Sequence, residues 1–504
     1  MASPSEKLVS SLEALKKLQD QGLGAIRSAD LTRTHRERLL KHGFLQEVMK
    51  GWYIPARLDD AVGESTAWYA SYWEFCATYL TSRFGSDWCL SPEQSLQLHA
   101  GNMQVPVQLL VRSSKARNKV TNLPHGTSLF DVKASLPSEQ DIDVRNGLRL
   151  FSLPVALMSC SPSYYRQCPT ELRTALVVVK DASALLRALL DGGHSTIAGR
   201  LAGAFRNIGR DRLADEILSI MRAADFDVRE HDPFEEKLPS VGNLREENPL
   251  SVRIRLMWQR MRADIVGRFL AAKPKKDVQV YLADVDDIYA TDAYHSLSIE
   301  GYRVNHDLIE RVRSGDWNPD AEEVDRQQRD AMAARGYWQA FQKVRESVKK
   351  CLEGENPGRV ADEDHGGWYR ELFAPSVAVG LLKPSDLAGY RSTAVYIRRS
   401  MHVPPSSESV RGAMQTLFEL LEAEEDPTVR IVLGHFIFVY IHPYTDGNGR
   451  TGRFLMNVMM AEGGYPWTII PVERRSDYMS ALEAASVEGN IVPFADFIAS
   501  CIVE

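Results

Sequence analysis

Apolar positions at helical spacing account for most of this chain, and alternating ones for a few short stretches. Leu8, Leu12, Leu15 and Leu18 predict a first helix ending by Gly22, Ala25 to Leu31 a second short element, and Thr34 to His42 a third helix closed by Gly43. Phe44 to Val48 and Trp52 to Ile54 read as strands around Met49-Lys50-Gly51. From Glu64 to about Pro239 the pattern is mixed. Ala67 to Arg83 and Glu171 to Leu190 are helical, while Val105 to Val111 and Arg149 to Phe151 are strand-like. Charged residues with Pro233, Pro239 and Pro249 then suit a linker. The rest is expected to be helical: Leu250 to Ala272, Asp284 to Glu300, two helices between 306 and 350 with the longer starting near Glu322, one through Trp368, and Ser406 to Leu421. Between the last two, Gly389 to Pro405 reads as a strand pair with Val395 to Ile397 at its edge. Asp426 and Pro427 open a nearly continuous apolar helix from Ile431 to Ile441, and Arg450 to Glu462 forms another, stopped by Gly463-Gly464 and Pro466.

Composition narrows the picture only modestly. At 504 residues the chain holds two or three domains, and its net charge of −7 argues against a basic surface over its whole length. The six cysteines have no zinc or C-x-x-C spacing, as expected of free thiols in a reducing cytoplasm. No signal-peptide pattern opens the chain, and the longest apolar run contains His435, so no membrane span is expected. Gly192 to Gly199 lacks a P-loop ending and reads as a helix start with close packing at Gly199 and Gly203; His99 and His125 are ordinary polar residues. Asp362-Glu363-Asp364-His365 is better read as a solvated cap for the helix through Trp368 than as a metal site.

Between the two apolar helices lies His442-Pro443-Tyr444-Thr445-Asp446-Gly447-Asn448-Gly449-Arg450-Thr451-Gly452-Arg453. Gly447, Asn448 and Gly449 can adopt positive φ and turn backbone N–H groups inward, making an anion nest at a helix N-terminus. Arg450 and Arg453 share a helix face and can grip phosphate oxygens. Asp446 offers the hard oxygen that Mg²⁺ takes beside phosphates, and His442 can act as a general base.

The string resembles the signature of Fic-domain enzymes, His-Pro-Phe-x-Asp/Glu-Gly-Asn-Gly-Arg-x-x-Arg, with Tyr444 in place of Phe. The resemblance implies transfer of AMP from ATP, with Mg²⁺, to a Ser, Thr or Tyr hydroxyl of a target protein. His442 would be the base, Asp446 the metal ligand, and Gly447, Asn448, Gly449, Arg450 and Arg453 the phosphate grip. The Gly389 to Pro405 flap would dock the target segment and put Val395 and Ile397 beside the nucleotide, and Tyr478 would line the adenine pocket. Gly449 favours adenylylation, since phosphate-transferring relatives carry Lys there.

Glu300 stands at a helix C-terminus, where the macrodipole disfavours a carboxylate by ~0.3–1 kcal/mol, so a nearby cation is expected. Ser296-x-x-x-Glu300-Gly301 is similar to the inhibitory motif of one class of Fic proteins, which implies that Glu300 pairs with Arg453 and obstructs the γ-phosphate. The N-terminal text around Gly22, Gly43 and Gly51-Trp52-Tyr53 resembles AbiEi-type antitoxins and a winged helix-turn-helix. Arg33, Arg36, Arg38 and Lys41 against Glu37 would give the third helix a net charge of about +3, suited to DNA phosphates with Lys50 on the wing. The fold expected is mainly α: an all-helical Fic core with a small β-hairpin flap (residues 251–504, including the inhibitory helix), preceded by a winged helix-turn-helix (1–60), a mixed α/β domain (61–230) and a linker (231–250). A DNA-binding regulator using the Fic half as an ATP sensor is the alternative, and a homodimer is left open.

Overall fold

The computed structural model describes residues 3–21, 23–56, 65–235, 248–272, 277–315 and 329–502. They fall into two compact units, Met1–Arg253 with Tyr396–Val403 and Ile254–Val395 with Pro404–Glu504. Helix is the dominant element. Much of the expected 231–250 linker, and the start of the helix expected at Glu322, lie outside the described residues.

The first unit opens with helix Pro4–Asp20, started by a capping box in which Ser3 and Glu6 satisfy each other's backbone N–H. The second element is a short strand rather than a helix: Ile26–Arg27 pairs antiparallel with Trp52–Pro55, which pairs in turn with Leu45–Met49. Helix Arg33–Lys41 lies between them, N-capped by Thr32. Its arginines are engaged at home. Arg36 donates to the Ser28 carbonyl at 2.8 Å, Arg38 to the Lys7 carbonyl and Ser11 Oγ at 2.7 and 2.8 Å, and Arg33 pairs with Glu37 at 2.7 Å. Arg36 and Arg38 therefore tie this helix to neighbouring segments, while Arg33 pairs within the helix and stays exposed.

Helix Thr66–Phe84 buries Trp68, Tyr72 and Phe75, which meet edge to face. Four strands follow in the spatial order Cys89–Leu90, Gln108–Ser113, Ser128–Lys133, Lys119–Asn122; the central pair is parallel. Leu148–Phe151 pairs with Ile142–Arg145. The helix expected from Glu171 to Leu190 is two, Pro169–Val178 and Ser183–Gly192, because the Asp181 carboxylate accepts the Ser183 N–H and restarts the chain. In the next helix, Ser195–Asn207, side chains at Gly199 and Gly203 would collide with the carbonyls of Arg229 and His231. Glycine is needed there for close approach, as the spacing predicts.

In the second unit, helix Val278–Ile299 is opened by Asp277, whose carboxylate accepts the Gln279 N–H. It ends at Glu300, and Arg475 donates to the Ile299 carbonyl at 2.7 Å. Helix Pro249–Ile265 stops short of Ala272. Helices Arg329–Leu352 and Pro357–Ala378 lie against each other, close enough that a side chain at Gly336 would strike the Leu372 carbonyl. The acidic group 362–365 sits inside the latter helix, not at its start. Asn356 is the cap, and Asp364 accepts from Lys350 and Ser347 at 2.8 and 2.7 Å.

Gly389 to Pro405 forms no strand pair and is irregular throughout. The Thr393 and Pro405 carbonyls are taken by the Arg391 guanidinium rather than by a facing strand, and Pro404-Pro405 has no N–H to give. Helix Ser407–Ala423 leads to the buried helix Pro427–Ile441, which packs against Asn448–Glu462. Among the described residues no helix is long and apolar enough to cross a membrane.

Candidate active site

Helix Pro427–Ile441 is fixed at its start by Asp426, which accepts the Thr428 and Val429 N–H groups at 2.8 and 3.2 Å. It ends at His442, whose φ of 53° puts a non-glycine residue in the left-handed region. Such a conformation costs about 1–3 kcal/mol and persists only when its surroundings hold it. Here Arg391 does so. Its backbone N–H reaches the Pro443 carbonyl at 2.9 Å and its Nε the His442 carbonyl at 2.7 Å. His442 Nδ1 lies 3.2 Å from the Val439 carbonyl, an acceptor only, so Nδ1 carries the proton and Nε2 keeps its lone pair. Burial lowers the His442 pKa to about 4; the Val439 contact opposes the shift, Arg391 adds to it, and Glu300 and Asp446 oppose it. The imidazole is neutral at pH 7.

The loop is locked from within. Tyr444 N–H donates to Asn448 Oδ1 at 2.9 Å, and Asn448 Nδ2 returns to the Tyr444 carbonyl at 2.8 Å. The Tyr444 ring, 2% exposed, stacks on Tyr369 with 3.7 Å between centroids, so Tyr fits where the signature has Phe. Of the three nest residues only Gly447 has positive φ, 79°. Asn448 and Gly449 already belong to the helix. This corrects the expected three-residue nest: Asn448 locks the loop, and a side chain at Gly449 would displace the Glu300 carboxylate from its present place.

The helix N-terminus is flanked by two buried guanidinium groups in different states. Arg453 is occupied. Nε donates to Ser296 Oγ at 2.9 Å, and Nη2 to the Ser296 carbonyl at 3.0 Å and to Glu300 Oε1 at 2.8 Å. Burial pushes Glu300 up, but Arg453 and then Arg450 outweigh it, so the carboxyl lies below its usual range and is ionised. The cation expected beside Glu300 is thus Arg453, and the same carboxylate faces the favourable N-terminal end of helix Asn448–Glu462. Arg450 is 1% exposed, sandwiched between Tyr302 and Phe373 at 5.1 and 5.0 Å. Its Nε and Nη2 have no hydrogen-bond partner among the described residues, and Asp446 Oδ2 stands 3.6 Å away. A buried guanidinium with open donors is costly unless an anion completes it.

Asp446 is mostly exposed, its side chain retaining 61% of its surface, and Oδ1 accepts the Gly447 N–H at 2.6 Å. Among the described residues no group of three His, Cys, Asp or Glu side chains could hold a metal alone. One carboxylate beside an anion site fits Mg²⁺ held jointly with phosphate. A pocket of about 750 Å³ opens here, lined by Tyr302, Tyr369, Phe373, Tyr390, Asp446 and Arg450 among others.

Tyr478 is 1% exposed, its hydroxyl 2.7 Å from His435 Nε2, and it neighbours Arg453 and Glu300. Val395 and Ile397 are half-buried in the irregular segment, and the pocket lining stops at Thr393. Sequence reasoning missed Arg391, Tyr302 and Phe373. Arg391 was visible only as one cation in a polar stretch, and the two rings as unremarked aromatics.

A neutral imidazole with a free Nε2, an exposed carboxylate and a helix N-terminus bearing two buried arginines come together here. Residues 367–460 match the Fic/DOC family, and this stretch is a Fic domain. Over 127 residues the chain is 40% identical to the protein adenylyltransferase Fic of Drosophila grimshawi, covering 24% of this chain and 26% of that protein. It is 39% identical to that of Nematostella vectensis, covering 24% and 29%. The matched part thus spans roughly a quarter of these relatives' length. The structure of a Fic-1 fragment from C. elegans overlaps 66% of this chain and 93% of its own, at 19% identity and a TM-score of 0.37.

Proposed function

We propose that this chain is an autoinhibited protein adenylyltransferase that moves AMP from ATP to a Ser, Thr or Tyr hydroxyl of a target protein. The observation that carries this reading is the buried Arg450 guanidinium with open donors, next to a helix N-terminus already faced by the Glu300 carboxylate. Donors of this kind suit a polyphosphate. His442 Nε2 takes the proton of the acceptor hydroxyl. The oxygen then bonds to the α-phosphorus as its bond to the β-phosphate bridge breaks, and pyrophosphate leaves. Arg450 and the N–H groups at the start of helix Asn448–Glu462 hold phosphate oxygens through this step. Mg²⁺, held at Asp446, supplies positive charge against the phosphates when bound.

Glu300 inhibits by standing where a terminal phosphate would meet Arg453. One anion excludes the other, because both need the same donors. The rival reading, a DNA-binding regulator that merely senses ATP, draws less support once Arg36 and Arg38 are engaged by backbone carbonyls.

The test is to incubate the parent, Glu300→Gly and Glu300→Gly/His442→Ala chains with Mg²⁺ and ATP labelled at the α-phosphate, alone and in a host lysate. Covalent label is expected with Glu300→Gly, far less with the parent, and almost none with the double variant. A Glu300→Gly chain that binds ATP yet labels nothing would turn the reading towards the sensor.

A further inference from the structure

We propose that Arg391 is the positioning residue for His442, fixing the turn that carries the base and tying it to both ends of the 393–405 segment. The proposal rests on the reading of His442 as the base.

Three successive carbonyls at the end of the buried helix are held by this one residue. Nη2 points to the Ile441 carbonyl at 3.4 Å, Nε donates to the His442 carbonyl at 2.7 Å, and the backbone N–H donates to the Pro443 carbonyl at 2.9 Å. The same guanidinium donates from Nη1 to the Thr393 carbonyl at 3.0 Å and from Nη2 to the Pro405 carbonyl. It is 5% exposed, so these bonds form away from competing water. His442 is helped by such a hold, since its φ of 53° lies in the left-handed region that non-glycine residues adopt only rarely. Only arginine offers five donors in a planar fork; a lysine is a single point that cannot span carbonyls on separate segments. The cation also sits at a helix C-terminus, where it is favoured.

Two consequences follow from this geometry. The direction of Nε2 depends on a group that does not touch the reacting atoms. And anything that shifts the 393–405 segment, such as a docking target strand, is transmitted to the base through one side chain.

The experiment uses the full chain in the Glu300→Gly background. Arg391→Met keeps the aliphatic stem and removes the donors. It is expected to slow transfer about 100-fold, as displacement of a catalytic group by about 1 Å does, while ATP affinity stays within about twofold. Because Arg391 acts through His442, adding Arg391→Met to His442→Ala is expected to cause little further loss. Full-rate transfer by Arg391→Met, or a double variant that loses the two effects in full, overturns the proposal. If Arg391→Met does not fold, Arg391→Lys carries the same comparison, with an intermediate loss expected. If the Glu300→Gly chain itself transfers nothing, the functional reading fails before Arg391 is touched. The proposal is then tested by NMR of labelled histidine, with the His442 signal identified by its disappearance in His442→Ala. Arg391→Met is expected to shift that signal and its pH midpoint; an unchanged signal overturns the proposal.

Discussion

Helix Arg33–Lys41 and helix Asn448–Glu462 both carry closely spaced arginines, and both looked from the sequence like places for phosphate. They differ in what the arginines do. In the first, the Arg36 and Arg38 donors go to backbone carbonyls and Arg33 goes to Glu37, so the charges serve local stability. In the second, Arg450 is buried with open donors, and Arg453 is held by a carboxylate that arrives from another helix. The second helix keeps buried donors unfilled after folding, which the number of cations alone does not reveal.

The largest effect expected from breaking the second helix's arrangement is at the base. In the Glu300→Gly background, His442→Ala should slow transfer about 10²–10⁴-fold, read as label incorporated per minute. Next is the carboxylate itself: Glu300→Gly should raise transfer about 5–150-fold over the parent, the usual range of a coupling between two sites. Arg450→Lys should weaken ATP binding about tenfold by losing the planar fork, measured by titration. The matched change in the first helix, Arg36→Met, should leave ATP affinity alone and lower the melting temperature by about 2–4 °C for each kcal/mol lost. If Arg36→Met instead leaves the melt unchanged and abolishes salt-sensitive DNA retention, the contrast between the helices fails.

The pH dependence sharpens the same contrast with a smaller effect. Burial lowers His435 to about 3 and His442 to about 4, against ~6.5 for an unfolded histidine. Between those values the unfolded chain binds more protons, so this part of the stability is intact above about pH 6.5 and declines as pH falls towards 3. Thermal melts at pH 7 and pH 4.5 should show the loss, and His435→Gln should show less of it.

Helix positions in the second unit were legible because burial and capping agree locally. Asp426-Pro427 and Gly463-Gly464 bracket the two central helices as their residue types predict. That a cation stands beside Glu300 could be argued from the helix dipole, while Arg453 as that cation was what the resemblance of Ser296-x-x-x-Glu300-Gly301 implied. What stayed hidden depends on distant partners. Nothing local shows that Arg391 takes the carbonyls that would have built a hairpin, or that Asp364 reaches back to Lys350 across a helix pair.

The central claim is that Glu300 and the terminal phosphate of ATP compete for the donors at the start of helix Asn448–Glu462. It is tested most directly by titrating ATP and AMP separately into the parent and Glu300→Gly chains with Mg²⁺ present. The account predicts that removing the carboxylate tightens ATP while AMP stays within about twofold, since AMP lacks the phosphates that reach Arg453. Equal tightening of both nucleotides, or of neither, would contradict it.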